Sequence, residues 1–304
     1  MSQSLNDSEE MSLRTYAPVV SSRARACSDG FDRRLHRRLS MIRHKVAVMS
    51  GKGGVGKSTV VVDLAVALAL RGKKVGVLDG DIHGPNVPFL FGLQGQRPTS
   101  GPDGLMPLTA HQNIKVMSIA FLLDGRDTPV AWRGPLKHSL FEQFFADVDW
   151  GELDYLLIDL PPGTGDEPLS VAQLLGKPLW TVIVTTPQDV AVLDSRKAAV
   201  FGKSVDMGVL GIVENMSGFS CPHCGAHMDV FKAGGGKKAS SELGVPFLGR
   251  IPFDPIVVRV GDQGIPIVLK HPHSKVSKAF SKVAVRVDEA IADLTEVGLP
   301  ERLP

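Results

Sequence analysis

Seven short apolar runs, at 46–49, 75–78, 116–119, 155–160, 180–185, 209–213 and 247–251, punctuate the chain from residue 45 onward, each bounded by Gly, Pro or charged residues. They are continuous rather than alternating, the pattern of strands buried on both faces of a parallel sheet. Between them lie stretches of helical texture at 56–71, closed by Gly72, and at 136–145, 166–175 and 190–205. Strands alternating with helices predict right-handed crossovers and an α/β fold, a doubly wound, mostly parallel sheet flanked by helices. A last helix over 274–294 places Val276, Phe280, Val283, Val287, Ile291 and Leu294 on one stripe. Its polar face mixes Lys275, Lys278 and Lys282 with Asp288, Glu289 and Asp293, which favours packing on the sheet over lying on a membrane. No repeat or linker divides residues 45–300, so one domain is expected there.

Residues 1–44 lack this periodicity, although Arg33, Arg34, Arg37 and Arg38 flank Leu35 and Leu39 at helical spacing. A basic, flexible, partly helical extension is expected. The net charge of +2 in 304 residues conceals an asymmetry: residues 1–45 hold nine Lys or Arg against five Asp or Glu, so the rest is slightly acidic. Nucleic-acid binding through bulk charge is therefore not expected. Three cysteines, Cys27, Cys221 and Cys224, cannot form a disulfide framework and suit a reducing, cytoplasmic setting. The apolar stretch 60–70 is broken by Asp63 and falls short of the roughly 18 residues of a membrane span, so no stable membrane insertion is expected. The acidic start, with Asp7, Glu9 and Glu10, is not an export signal. If Met11 were the start, the Arg- and Ser-rich segment 12–40 would resemble a transit peptide, which leaves the mitochondrial matrix as the alternative location.

After the first strand comes Gly51-Lys52-Gly53-Gly54-Val55-Gly56-Lys57-Ser58-Thr59, a glycine-rich loop between a strand and a helix, with a lysine and a hydroxyl at P-loop spacing. The glycines allow backbone N–H groups to turn inward around phosphate oxygens, and the helix beginning near Gly56 directs its positive end at the same anion. Lys57 would bridge the terminal phosphates of ATP and Ser58 would hold Mg2+. The second and fourth strands end in Asp79-Gly80-Asp81 and in Asp159, followed by Pro161-Pro162-Gly163. Carboxylates at the carboxyl ends of parallel strands lie beside the phosphate crevice, where they can bind the metal through water or orient the attacking water.

The second lysine of the loop, Lys52, makes it resemble the deviant Walker A loop of the SIMIBI ATPases, the group of nitrogenase iron protein, MinD and ParA. That resemblance implies that Lys52 reaches the partner's nucleotide across a dimer interface. It also implies that Asp81 orients water in switch I, with Asp79 able to share that role or the Walker B role. Asp159 would be the Walker B aspartate and Gly163 the switch II glycine.

Cys221-Pro222-His223-Cys224 follows a further strand. Two thiolates spaced C-x-x-C can grip one metal, but thiolate centres usually need four ligands, and this chain lacks a second pair. Two copies meeting at a two-fold axis would supply four sulfurs. With these residues the chain resembles the Mrp/ApbC type of iron–sulfur cluster carriers over about residues 45–290. The resemblance rests also on Trp132-Arg133-Gly134-Pro135, residues 154–166, Thr186-Pro187-Gln188-Asp189, Glu214-Asn215-Met216 and Ile251-Pro252-Phe253-Asp254. It implies a homodimer with a labile 4Fe-4S cluster bridged by both cysteine pairs, delivery to apo iron–sulfur client proteins, and slow ATP hydrolysis. Asn215 would contact adenine, with Pro252 and Asp254 nearby. A structural zinc held by Cys221, Cys224, His227 and one more ligand stays open, as does a MinD/ParA-like positioning switch. A metal-inserting or electron-transferring relative of nitrogenase iron protein is a third reading. Cys27 is expected to be a bystander thiol.

Overall fold

The computed structural model of the chain describes residues 28–123, 134–221 and 224–297. In chain order its elements are α1 (Ser28–Ser40), β1 (Ile42–Ser50), α2 (Lys57–Ala69), β2 (Val75–Asp79), α3 (Val87–Leu90), β3 (Thr99–Gly101), β4 (Gly104–Met106), β5 (Leu108–Thr109) and β6 (Lys115–Ser118). There follow α4 (Gly134–Ala146), β7 (Leu153–Asp159), α5 (Asp166–Leu175), β8 (Trp180–Thr185), α6 (Asp189–Ser204), β9 (Gly208–Glu214), β10 (Phe219–Ser220) and β11 (His227–Met228). The chain closes with α7 (Gly235–Leu243), β12 (Phe247–Arg250), α8 (Pro255–Gly261), α9 (Ile267–Lys270) and α10 (Lys275–Val297).

All seven apolar runs are strands of one sheet, in the order β12-β9-β8-β1-β7-β2-β6-β5. They pair in parallel, and only β5 runs antiparallel, against β6. The two-residue β5 shortens the open edge of the sheet, a common means of limiting edge-to-edge pairing. Every residue of β2, β8 and β9 is buried, as the continuous apolar pattern requires when helices cover both faces. The connection leaving β1 runs toward β2, whereas that leaving β7 runs across β1 to β8. This reversal opens a crevice at the carboxyl end of β1.

The stripe of the last helix is spent on this core. Val276, Phe280, Val283, Val287 and Ile291 of α10 are all buried, and the helix packs on α2, β9 and β12. Helix α2 is covered almost all round, from Val60 to Leu68, and the charge buried within that stretch, Asp63, accepts a hydrogen bond from Val268 N at 3.1 Å at the start of α9.

The boundary expected near residue 44 lies elsewhere. Strand β1 begins at Ile42, which is buried and pairs with Leu153, and α1 lies against α4. Leu39 and Arg38 are buried, and Arg38 Nη1 donates to Asp149 Oδ1 at 2.6 Å. Arg34 and Arg37 face Asp147 and Asp103. The arginines suggested a solvated stretch because their acidic partners are distant in sequence. Residues 1–27, with Cys27, lie outside the described residues, as do Trp132, Arg133, Pro222 and His223.

Candidate functional site

Strand β1 delivers the chain to a loop that only glycine can complete at two points. Gly56 has φ 77°, and a Cβ there would sit 2.5 Å from Asn215 Nδ2. At Gly51 a Cβ would lie 2.0 Å from the Asp194 carbonyl carbon, so close does α6 approach. Gly56 starts α2 without any side-chain cap, leaving the first-turn N–H groups directed at the loop. Ser50 Oγ donates to the Lys52 carbonyl at 3.0 Å, and Gly163 N donates to the Ser50 carbonyl at 2.8 Å, which ties the loop after β7 to the loop after β1. The result is an open cleft of about 290 Å³, lined by Ser50 and residues 52–59 together with Asp81, Asn86 and Pro162. Lys52, Gly53, Gly54, Val55, Gly56, Lys57, Ser58 and Thr59 thus all face one space.

Beneath this cleft the sheet register aligns the acidic residues. Asp79 stands opposite Asp159, and Ser118 opposite Asp79. Both carboxylates are fully buried. Lys57 Nζ donates to Asp159 Oδ1, while Asp159 Oδ2 is buried with no hydrogen-bond partner. Asp79 is engaged on both oxygens: Oδ1 accepts from Asp81 N, and Oδ2 accepts from Val87 N and Ser118 Oγ, each at 3.2 Å. Burial, reinforced by the Asp159 charge and opposed by Lys57, pushes the Asp79 carboxyl well above the usual range. Burial also raises Asp81, against the pull of Lys57, and Asp81 Oδ1 accepts from Gly84 N at 3.3 Å. Asp81 is therefore the carboxylate at the cleft wall, while Asp79 braces its loop from below.

Asn215, at the end of β9, donates from Nδ2 to the Val55 carbonyl at 2.9 Å and so touches the loop directly. Pro252 and Asp254 do not line the cleft, and Asp254 Oδ1 instead accepts from Ile256 N at 3.0 Å as the N-cap of α8. The same segment that begins at Asn215 runs into the β10–β11 hairpin, whose tip carries the cysteines. Gly225 N donates to the Cys221 carbonyl and Cys221 N to the Ala226 carbonyl, both at 2.9 Å, forming a tight turn. Cys224 is exposed, and Phe253 anchors the hairpin base edge-on to Phe219 and Phe231. His227 pairs with Asp229 at 3.1 Å. Among the described residues, no three His, Cys, Asp or Glu side chains within one chain gather to hold a metal.

A family model described as NUBPL iron-transfer P-loop NTPase, of the ParA type, matches residues 41–288. The chain belongs to this family. Among its relatives, an iron–sulfur cluster carrier protein of Methanocaldococcus jannaschii is 51% identical over 260 residues, 86% of this chain and 89% of its own. The human cytosolic Fe-S cluster assembly factor NUBP2 is 45% identical over 266 residues, covering 86% and 97%. A nucleotide-binding protein of Archaeoglobus fulgidus, solved in complex with ADP, superposes with a TM-score of 0.69 at 44% identity, over 77% of this chain and 91% of that one. The cell division ATPase MinD of Pyrococcus furiosus follows at 0.62 and 27%, over 81% and 99%. The likeness to MinD bears out the doubly wound P-loop fold expected from the apolar runs. Among the described residues no helix is long and apolar enough to cross a membrane.

Proposed function

We propose that the protein is an ATP-hydrolysing carrier that holds an iron–sulfur cluster at a homodimer interface and hands it to apo-proteins. One observation carries the reading: Asn215 joins the phosphate loop to the segment that leads into the Cys221–Cys224 turn, so nucleotide and cysteine sites share one connected element. The names of the relatives support the cargo, and the ADP complex of the Archaeoglobus protein supports the nucleotide.

The loop N–H groups and Lys57 bind the phosphates of ATP, Lys57 exchanging its bond to Asp159 for the terminal oxygens. The buried, unpartnered Asp159 Oδ2 and the Ser58 hydroxyl at the cleft fit a Mg2+ ion, which Asp159 would hold through water and which would neutralise phosphate charge. Asp81 orients the water that attacks the γ-phosphate, and Gly163 reports on that phosphate through the contact its N–H now makes with Ser50. Lys52 acts across the interface on the partner's nucleotide. Helix α6, which abuts Gly51, leaves Val190 and Leu193 exposed, an apolar surface suited to a second copy. The cluster is cargo, gripped by Cys221 and Cys224 of both copies. Closure on ATP would change its exposure, and adenine would lie near Asn215, with Pro252 and Asp254 bordering it. A cytoplasmic location accords with the cytosolic name of the human relative.

The test is anaerobic reconstitution followed by measurement of iron, sulfide and visible absorption. Replacing both Cys221 and Cys224 with Ala is expected to abolish the cluster and leave ATP binding unchanged, whereas Lys57→Ala should abolish ATP binding and leave the cluster. A cluster that survives loss of both cysteines rules out the carrier reading. A MinD-like switch would instead show ATP-dependent sedimentation with liposomes that persists in the cysteine variant.

A further inference from the structure

Lys137, in the first turn of α4, belongs to none of the motifs above, yet its ammonium touches a neighbour of each of two of them. Nζ donates to Glu167 Oε1 at 2.6 Å and lies 2.8 Å from His83 Nε2. The Lys137 side chain is only 14% exposed and that of Glu167 only 9%. A lysine offers three donors and no acceptor, so His83 Nε2 must be the acceptor here, with its proton on Nδ1. Burial opposes ionisation of Glu167, but the hydrogen bond and charge of Lys137 outweigh it and hold the carboxyl below its usual range.

The two partners adjoin different loops. His83 is in the turn that carries Asp81, between Asp81 and Gly84, whose N–H donates to Asp81 Oδ1 and closes that turn. Glu167 is in the first turn of α5, directly after the loop that carries Gly163. The starts of α4 and α5 are in close approach, a Cβ on Gly134 lying 3.1 Å from Asp166 Oδ2. A structural filler at position 137 needs only bulk, and a leucine or methionine would supply it. A charged group buried to this degree incurs a desolvation cost that is offset here by an acceptor from the Asp81 turn and one from the start of α5.

We infer that Lys137 is a positioning residue that staples the Asp81 loop to the Gly163 loop, so that both move on the terminal phosphate as one unit. The role in hydrolysis rests on the ATPase reading proposed above; the mechanical coupling does not.

Amide hydrogen exchange of the nucleotide-free protein tests the coupling. Replacing exposed His83 with Ala should raise exchange across 161–167, in the other loop, and Glu167→Gln should raise it across 80–86. Both cross-effects should vanish in a Lys137→Met background, with exchange in β8 as the check on the fold. If each substitution loosens only its own loop, the staple is refuted, and because His83→Ala alters a surface side chain, this arm can be read even if Lys137→Met fails to fold. In turnover, Lys137→Met should lower kcat for ATP by about ten- to a hundredfold with Kd for ATP little changed, and Lys137→Arg should recover most of the loss. An unchanged kcat for Lys137→Met overturns the role in hydrolysis. Cross-effects in the variants together with a wild-type protein that does not hydrolyse ATP refute the ATPase reading alone.

Discussion

Two residues show how much single atoms constrain this molecule. At Gly56, left-handed backbone and the approach of Asn215 Nδ2 coincide, so Gly56→Ala meets both strain and collision. The expected outcome is a loss of ATP affinity of at least about tenfold with a fall in stability of only about 1–3 kcal/mol, since the loop and not the sheet absorbs the change. Isothermal titration beside urea unfolding would show it, and unaltered affinity would contradict it. Asp63 is different in kind. Full burial outweighs the two backbone hydrogen bonds from α9 and raises its pKa from 3.8 to about 7. A carboxyl whose folded pKa is raised binds its proton more tightly in the native state, so stability is greatest below the unfolded value and declines as pH rises from about 4 to about 7. Asp63→Asn keeps the acceptor but cannot ionise. Wild type and variant should therefore unfold alike near pH 4, and the variant should be the more stable near pH 8 by ~2–4 kcal/mol. Denaturant curves at the two pH values decide this, and a variant less stable at pH 8 would show that the ionised Asp63 is an asset.

Among the elements, α1 best separates what sequence can and cannot convey. The strands were legible because burial on both faces writes itself into consecutive residues, and the phosphate loop because its glycines, lysine and hydroxyl are contiguous. Helix α1 reads as a solvated stretch because Arg38 meets Asp149 only in three dimensions, and the pairing of Lys137 with His83 and Glu167 is hidden for the same reason. Asn215 stands at an intermediate position: the resemblance assigned it to adenine, while its amide contact with Val55 depends on β9 ending beside the loop. The docking of α1 has a measurable consequence. Arg38→Ala leaves the half-buried Asp149 without its partner and should cost about 1–3 kcal/mol in chemical denaturation. Deleting residues 1–40 should cost more than that, because Leu39 then leaves the core as well. A full-stability deletion would mean that α1 rests on the body without holding it.

For the whole molecule the decisive expectation concerns Lys52, which lines the cleft. If it serves the partner's nucleotide, Lys52→Ala should lower kcat by on the order of 10³, as for other charges supplied in trans. Asp81→Asn should be inactive for a separate reason. Mixing the two variants then restores one competent site per mixed dimer, giving about a quarter of wild-type activity if subunits exchange at random. No recovery on mixing would place the action of Lys52 within its own chain.

The position of β1 bears also on how the protein is made. Its two neighbours in the sheet are β7 and β8, strands that follow it by a hundred residues and more, and Gly51 is wedged against Asp194, later still. A ribosome therefore releases the phosphate loop early but cannot complete the cradle until α6 has emerged. Until then the nascent segment has the glycines and lysine of a nucleotide site with none of the walls, and ATP cannot assist its folding. The pairing of an early strand with late ones is the kind of distant contact that slows folding, and it delays the nucleotide site until long after its own loop has been made.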